Sequence, residues 1–165
     1  MTLTLEKRRG AYLDIAASAP GERTPLSAEK QSSRWTSSIA RSVRAEYKDF
    51  GIMIDLSHLP IQDETPKQVF HTLTLDNIAH IHIGNSVKAQ GHAAYGDQHP
   101  RFGLPGGEND VPQLVEFLRE LLAIGYLGPG RRPVVAFEVK PLPGETSGAV
   151  VAGAKRTLLQ AWAQV

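Results

Sequence analysis

Four of the six histidines in this chain lie in residues 78–99, together with one acidic residue. His80 and His82 alternate with isoleucines in a segment typical of a buried strand, so their side chains share one face of it. The loop that follows ends in Asp97 and His99, a carboxylate and an imidazole close enough in sequence to bind the same ion. These two ligand types suit a divalent metal such as zinc, manganese or cobalt.

Composition and charge limit the classes of protein to which the chain can belong. With 165 residues, 41% of them hydrophobic and 21% charged, it is long enough for one domain with a sizeable core. Its net charge of +1 provides no field that would attract nucleic acid or an anionic membrane. Cysteine and long apolar runs are both absent from the sequence. We therefore expect a cytoplasmic protein without disulfides or membrane spans, in which any metal is bound through nitrogen and oxygen.

Apolar runs predict strands that are covered on both faces. Such runs occupy residues 51–56, 78–83 and 133–139, and parallel strands have this composition. The residues at 57–60 are predicted to be a loop at the end of the first of these strands. Because predicted helices separate the strands, we expect an α/β fold with a parallel sheet and right-handed crossovers.

The helices are predicted from capping residues and from apolar side chains repeated every three or four residues. They are expected to begin near Trp35, Thr65, Asp110 and Ser147. The last of them is expected to bury Val151, Ala154, Leu158 and Trp162.

Polar side chains follow the predicted strands where each one ends. Asp55 and His58 come after the first strand, His82 ends the second, and Glu138 is near the end of the third. Parallel α/β sheets place their chemistry at the carboxyl ends of the strands, so these side chains are candidates for one metal site.

Each candidate ligand also has a purely structural interpretation. Asp55 could cap the turn that follows it, and His82 could be a hydrogen-bonded histidine of the core. Asp97 and His99 could simply form a turn. Glu138 is flanked by apolar residues, and a buried carboxylate needs a partner or a cation, although Lys140 on the same face could pair with it.

Four motifs resemble those of the xylose isomerase-like TIM-barrel superfamily, which contains sugar isomerases, epimerases and endonuclease IV-type enzymes. They are DLSH at 55–58, HIHIGN at 80–85, GDQHPRFGLPGGEND at 96–110 and FEVKP at 137–141. The resemblance runs from about residue 38 to residue 165. It implies metal ligation by Asp55, His58, His82 and Glu138, and by Asp97 and His99 as in endonuclease-type members.

The chain is short for such a barrel, which takes about 250 residues and eight strands. We therefore expect a partial TIM barrel, with residues 1–34 as a poorly structured segment and residues 35–165 as the C-terminal half. The inward face of its sheet, around Met53 and His80, would be left uncovered. We expect it to be hidden by the N-terminal segment, by a second copy of the chain, or by a partner that completes the barrel.

The function implied by the resemblance is a metal-dependent sugar or sugar phosphate isomerase or epimerase that acts through an enediolate. Glu138 and His58 would be catalytic, Arg101 and Lys140 would bind substrate, and His80 would orient a ligand. The ion would be Mn²⁺, Zn²⁺, Co²⁺ or Mg²⁺. The alternatives are an endonuclease IV-like phosphodiester hydrolase, against which the balanced charge argues, and a barrel fragment without catalytic activity.

Overall fold

A five-stranded sheet forms the centre of the molecule, in the order β2-β1-β3-β4-β5. The computed structural model describes residues 3–7, 11–15, 41–48, 50–130 and 133–165, the first two ranges through their backbone alone. The strands are β1 (Leu3–Lys7), β2 (Ala11–Ile15), β3 (Phe50–Asp55), β4 (Ile78–Gly84) and β5 (Val135–Glu138). β1 is antiparallel to both β2 and β3, so these first two strands extend the sheet on one side.

The other three strands confirm the predicted parallel sheet. β3 pairs with β4, and β4 with β5, both in parallel register. Every residue of β3 is buried, as expected for a strand covered on both faces. Asp55 lies opposite His82, and Gly84 lies opposite Glu138, so the carboxyl ends of the three strands meet at one edge.

Within the described residues, helices connect and follow the parallel strands. They are α1 (His58–Ile61), α2 (Pro66–Thr72), α3 (Val111–Ala123) and α4 (Ser147–Trp162). Thr65 and Asp110 form capping boxes at the start of α2 and α3, as their positions predict. Residues 41–46 are helical too, whereas Trp35 of the predicted helix lies outside the described residues.

The prediction of a loop at residues 57–60 is wrong, because α1 begins at His58. Pro60 suggested irregular structure, but proline is tolerated in the first turn of a helix, where its missing N–H has no partner to lose. Leu59 on this helix is buried in the core. The short helix therefore fixes His58 directly beyond the end of β3.

The core lies between the parallel strands and helices α2 and α3. Ile81 and Ile83 of β4 are buried on the face opposite to the histidines. The rings of Phe70 and Phe117 pack with their centroids 5.4 Å apart and tilted by 54°, an arrangement that aromatic pairs prefer. This packing holds the helices against the strands whose ends carry the candidate ligands.

The predicted buried face of α4 is confirmed in part. Ala154 is buried and Leu158 packs against the core, as predicted, whereas Val151 and Trp162 are exposed. Their neighbours Val150 and Ala161 are buried in their place, because the face that packs against the core is turned by about one residue.

Met53, on the inward face that we expect another segment or chain to hide, is only 7% exposed. His80 on the same face is half-buried. In the described part of the chain, no helix is both long and apolar enough to span a membrane.

Candidate metal centre

Three neighbouring strands deliver an acidic residue or a histidine to the same edge of the sheet. Asp55 ends β3, His82 lies opposite it on β4, and Glu138 ends β5. Nδ1 of His82 is 2.5 Å from Oε2 of Glu138. These three side chains offer ligand atoms that all lie within 4.8 Å of one another, a spacing that a single metal ion can bridge.

The loop after β4 folds back over this edge and brings in two further predicted ligands. Oδ1 of Asp97 lies 2.8 Å from Nε2 of His58 and 2.8 Å from Nε2 of His99. The Asp97 side chain is 53% exposed, whereas both histidines are nearly buried. Asp97 therefore lies on the solvent side of the cluster, and His58 and His99 lie on its buried side.

Asp55 is the most deeply buried member of the cluster. Its Oδ1 accepts a hydrogen bond of 2.8 Å from the backbone N–H of Ser57. Its Oδ2 has no hydrogen-bond partner within the described residues, although Nε2 of His58 and Nδ1 of His99 each lie 3.8 Å away. An unpartnered buried carboxylate oxygen is costly, and a cation is one of the few groups that can satisfy it.

The possible ligands form two groups that share Asp55. One consists of Asp55, His58 and His99, and the other of Asp55, His82 and Glu138. Within each group the ligand atoms lie within 4.8 Å of one another. Carboxylate and imidazole donors suit Mn²⁺, Zn²⁺ or Co²⁺, so the residues present fit the predicted divalent ion.

The carboxyl groups of the cluster have pKa values shifted in opposite directions: that of Asp55 is raised, and those of Asp97 and Glu138 are lowered. Burial raises the pKa of Asp55 above its usual value, and the charge of nearby His58 only partly opposes this. Hydrogen bonds from His58 and His99 hold the pKa of Asp97 far below its usual range. The hydrogen bond from His82 lowers the pKa of Glu138 to about 2.

His58 has a raised pKa despite its burial. Burial by itself lowers the pKa of this imidazole, but the hydrogen bond to Asp97 and the charges of Asp55 and Glu138 together raise it. The carboxylates around His58 therefore favour its charged form.

His80 lies beside His82, with their Nε2 atoms 3.1 Å apart. The two rings share one face of β4, as the alternation predicts. The contact fits the predicted role of His80 in orienting a ligand, which remains a prediction.

The predicted substrate-binding residues lie around the cluster and do not join it. Nε of Arg101 donates a hydrogen bond of 2.7 Å to Glu145. The side chain of Lys140 is exposed, while its backbone N–H donates to the carbonyl of His99 at 2.7 Å. Arg101 and Lys140 thus tie the two loops beside the cluster together.

Two buried asparagines hold the strand ends together, a role that the sequence did not suggest. The side-chain amide of Asn109 donates to the carbonyls of Leu56 and Gly84, each at 3.1 Å. Oδ1 of Asn85 accepts from the backbone N–H of Asn109 at 2.8 Å, and its Nδ2 donates to the carbonyl of Arg101 at 3.0 Å. Both asparagines lie in the motifs quoted above, but asparagine outside helices and strands most often indicates a turn.

Comparisons with protein-family models, with curated proteins and with solved structures gave no match to this chain. The resemblance to the xylose isomerase-like superfamily therefore rests on the four motifs alone.

Proposed function

We propose that this protein is a metal-dependent isomerase or epimerase of a sugar or sugar phosphate, built on part of a TIM barrel. The observation that carries the proposal is the buried Oδ2 of Asp55, which faces two imidazoles and has no hydrogen-bond partner in the described residues. Each of the six predicted ligands lies within 4.0 Å of another.

The chemistry of the ion follows from the charge that develops in such a reaction. A divalent ion would stabilise negative charge on two neighbouring oxygens of a ketose as a proton leaves carbon and an enediolate forms. Asp55, His82 and Glu138 form one set of residues that would hold it, and Asp55, His58 and His99 form the other.

Glu138 and His58 are the residues that we propose to move protons. Glu138 is a carboxylate at the end of β5, and a carboxylate is the usual group that accepts a proton from carbon in such sites. Its side chain is 32% exposed, which leaves it accessible to a substrate. Nε2 of His58 lies 2.8 Å from Oδ1 of Asp97, which is partly exposed on the solvent side of the cluster, so the imidazole of His58 can exchange a proton with a substrate oxygen.

Arg101 and Lys140 are proposed to bind the substrate at the rim of the cluster. Lys140 is exposed directly beyond β5, where an anionic group of a sugar phosphate could reach it. Arg101 is held by Glu145, and a guanidinium oriented in this way suits recognition of a phosphate or hydroxyl oxygen.

A second candidate function, phosphodiester hydrolysis, is favoured by the position of Asp97. Its Oδ1 lies 2.8 Å from Nε2 of His58 and 2.8 Å from Nε2 of His99, so it adds a carboxylate to the group formed by Asp55, His58 and His99. More than one cation at such a cluster would clamp the attacking and leaving oxygens of a phosphodiester. The net charge of +1 favours a small substrate over DNA.

The test compares proton abstraction with phosphodiester cleavage in the same preparation. The purified protein is loaded in turn with Mn²⁺, Co²⁺, Zn²⁺ and Mg²⁺, and bound metal is measured by mass spectrometry. Ketoses and ketose phosphates are then incubated with it in D₂O, where isomerase chemistry exchanges one carbon-bound hydrogen for deuterium. Hydrolysis of bis-p-nitrophenyl phosphate reports the second function.

Two variants serve as controls. Asp55→Asn should abolish metal binding and exchange together, because it removes the residue shared by both ligand groups. His71→Gln should change neither, because His71 is exposed on α2. Deuterium exchange without bound metal would refute the metal-dependent mechanism. Failure of the wild-type protein to bind any of the four ions would favour a barrel fragment without catalytic activity.

A further inference from the structure

Ser57 is fully buried and lies in sequence between two members of the cluster, Asp55 and His58. Its hydroxyl contacts His99, which is a third member. Its backbone N–H donates to Asp55, and its Oγ lies 3.1 Å from Nδ1 of His99. We propose that Ser57 is a positioning residue, whose hydroxyl bonds to Nδ1 of His99, holds the ring with Nε2 facing Asp97 and Glu138, and remains bonded to the ring when a cation binds. This inference rests on the metal site proposed above.

The hydroxyl of Ser57 contacts His99, although it could instead cap the helix α1 that follows it. Ser57 is the N-cap residue of α1, where serine normally accepts a hydrogen bond from a backbone N–H of the first turn. It makes no side-chain capping bond in this protein. The helix therefore does not account for a serine at this position, whereas the contact with His99 does.

The His99 ring is held at both nitrogens. Nδ1 faces Ser57, while Nε2 lies 2.8 Å from Oδ1 of Asp97 and 3.5 Å from Oε1 of Glu138. Its backbone adopts φ +47°, a conformation uncommon for residues other than glycine. The ring therefore has a hydrogen-bond partner at each nitrogen, and these two partners fix its orientation.

The two ring nitrogens need different partners before and after an ion binds. Nε2 lies within hydrogen-bond distance of the Asp97 carboxylate, and a neutral ring that donates from Nε2 has a lone pair on Nδ1 for the hydroxyl of Ser57. A neutral ring that used Nε2 as a ligand would carry its proton on Nδ1 and would need an acceptor there. A hydroxyl is both donor and acceptor, so Ser57 can serve both tautomers without moving its oxygen.

Ser57→Ala removes this partner, and Ser86→Ala is a matched control. Ser86 is also fully buried, but its Oγ has no hydrogen-bond partner in the described residues. Affinities for Mn²⁺ and Zn²⁺ are measured by titration calorimetry on the folded full-length chain. Loss of a group that orients a ligand typically costs about 10–100-fold in metal affinity, so Ser57→Ala should raise Kd by about that factor. Ser86→Ala should leave Kd within about twofold.

A second measurement tests the contact between Ser57 and His99 without any metal. In the metal-free protein, the ¹⁵N signal of His99 Nδ1, assigned with His99→Gln, should move in Ser57→Ala toward that of a nitrogen without a hydrogen bond. Equal metal affinity of Ser57→Ala and Ser86→Ala would overturn the inference, as would an unchanged Nδ1 signal. A wild-type protein that binds neither ion would instead overturn the proposed metal site, and the ¹⁵N signal would still decide whether Ser57 holds His99.

Discussion

Replacing Asp55 by asparagine should stabilise the metal-free protein and remove its response to metal. The Asp55 side chain is inaccessible to solvent, and only its Oδ1 has a hydrogen-bond donor among the described residues. Asparagine is nearly isosteric, keeps an acceptor for the Ser57 N–H, and places an amide where the unpartnered carboxylate oxygen lies. The amide can donate to Glu138, whose ligand atom is within 4.8 Å.

The size of the effect follows from the cost of one unsatisfied buried group, which is about 1–3 kcal/mol. For a domain of this length, 1 kcal/mol shifts Tm by about 2–4 °C, so Asp55→Asn should raise the Tm of the metal-free protein by about 2–12 °C. A ligand at 100 times its Kd stabilises by about 2.7 kcal/mol, or about 5–11 °C. The wild type should show this second shift when metal is added, and Asp55→Asn should not.

The difference in stability between metal-free Asp55→Asn and the wild type should increase with pH. Because burial raises the pKa of Asp55, the folded state binds more protons than the unfolded state above the usual pKa of the group. The stability contributed by protonated Asp55 is therefore present at low pH and lost as pH rises through the folded-state pKa. The advantage of Asp55→Asn should grow over the same range.

Thermal denaturation by circular dichroism, with chelator and with excess Mn²⁺, measures both effects. Asp76→Asn makes the same chemical change at an exposed position and should alter neither Tm nor the response to metal. The reasoning would be refuted if metal-free Asp55→Asn were less stable than the wild type at neutral pH. It would equally fail if the variant kept a metal-induced rise in Tm.

Three further perturbations test the cluster and its support. Metal affinity, measured by calorimetry, should fall as pH decreases through the raised pKa of His58, because the proton and the ion compete for one imidazole. An affinity that did not change between pH 6 and pH 8 would contradict this. Gly84→Ala should lower stability in urea by about 1–3 kcal/mol, because its Cβ would lie 2.5 Å from the Glu138 carbonyl; Gly148→Ala, with nothing within 4 Å, should be neutral or stabilising. Asn109→Ala should cost about 1–3 kcal/mol and weaken metal binding, because two strand-end carbonyls lose their donor; unchanged affinity would show that it acts on the fold alone.

Much of the fold could be predicted because its signals are local. The apolar runs of β3 and β4 are long enough to distinguish buried strands, and the caps Thr65 and Asp110 mark where helices begin. The parallel order then follows from the alternation of strands and helices, and with it the position of Asp55 and His82 at one edge.

Other features depend on tertiary contacts that the sequence does not reveal. Ser57 and Asn109 are small polar residues next to loops, where capping or turn formation is the usual role. At the end of α4, hydrophobicity favours burial of Trp162, whereas the smaller Ala161 is the residue that is buried. In each case the partner is distant in sequence, so no local pattern identifies it.

The protonation of the cluster indicates how it is stabilised in the absence of a metal. Three carboxylates meet at one edge of the sheet, and their mutual repulsion must be offset. Two of them have lowered pKa values because imidazoles donate to them, and the third, Asp55, has a raised pKa because it is buried. A divalent ion would place its positive charge among these carboxylates. It would also contact Oδ2 of Asp55, which lies 3.8 Å from the nearest nitrogens of His58 and His99. The cluster is therefore better suited to a cation than to protons, and metal binding should release protons from Asp55 and His58.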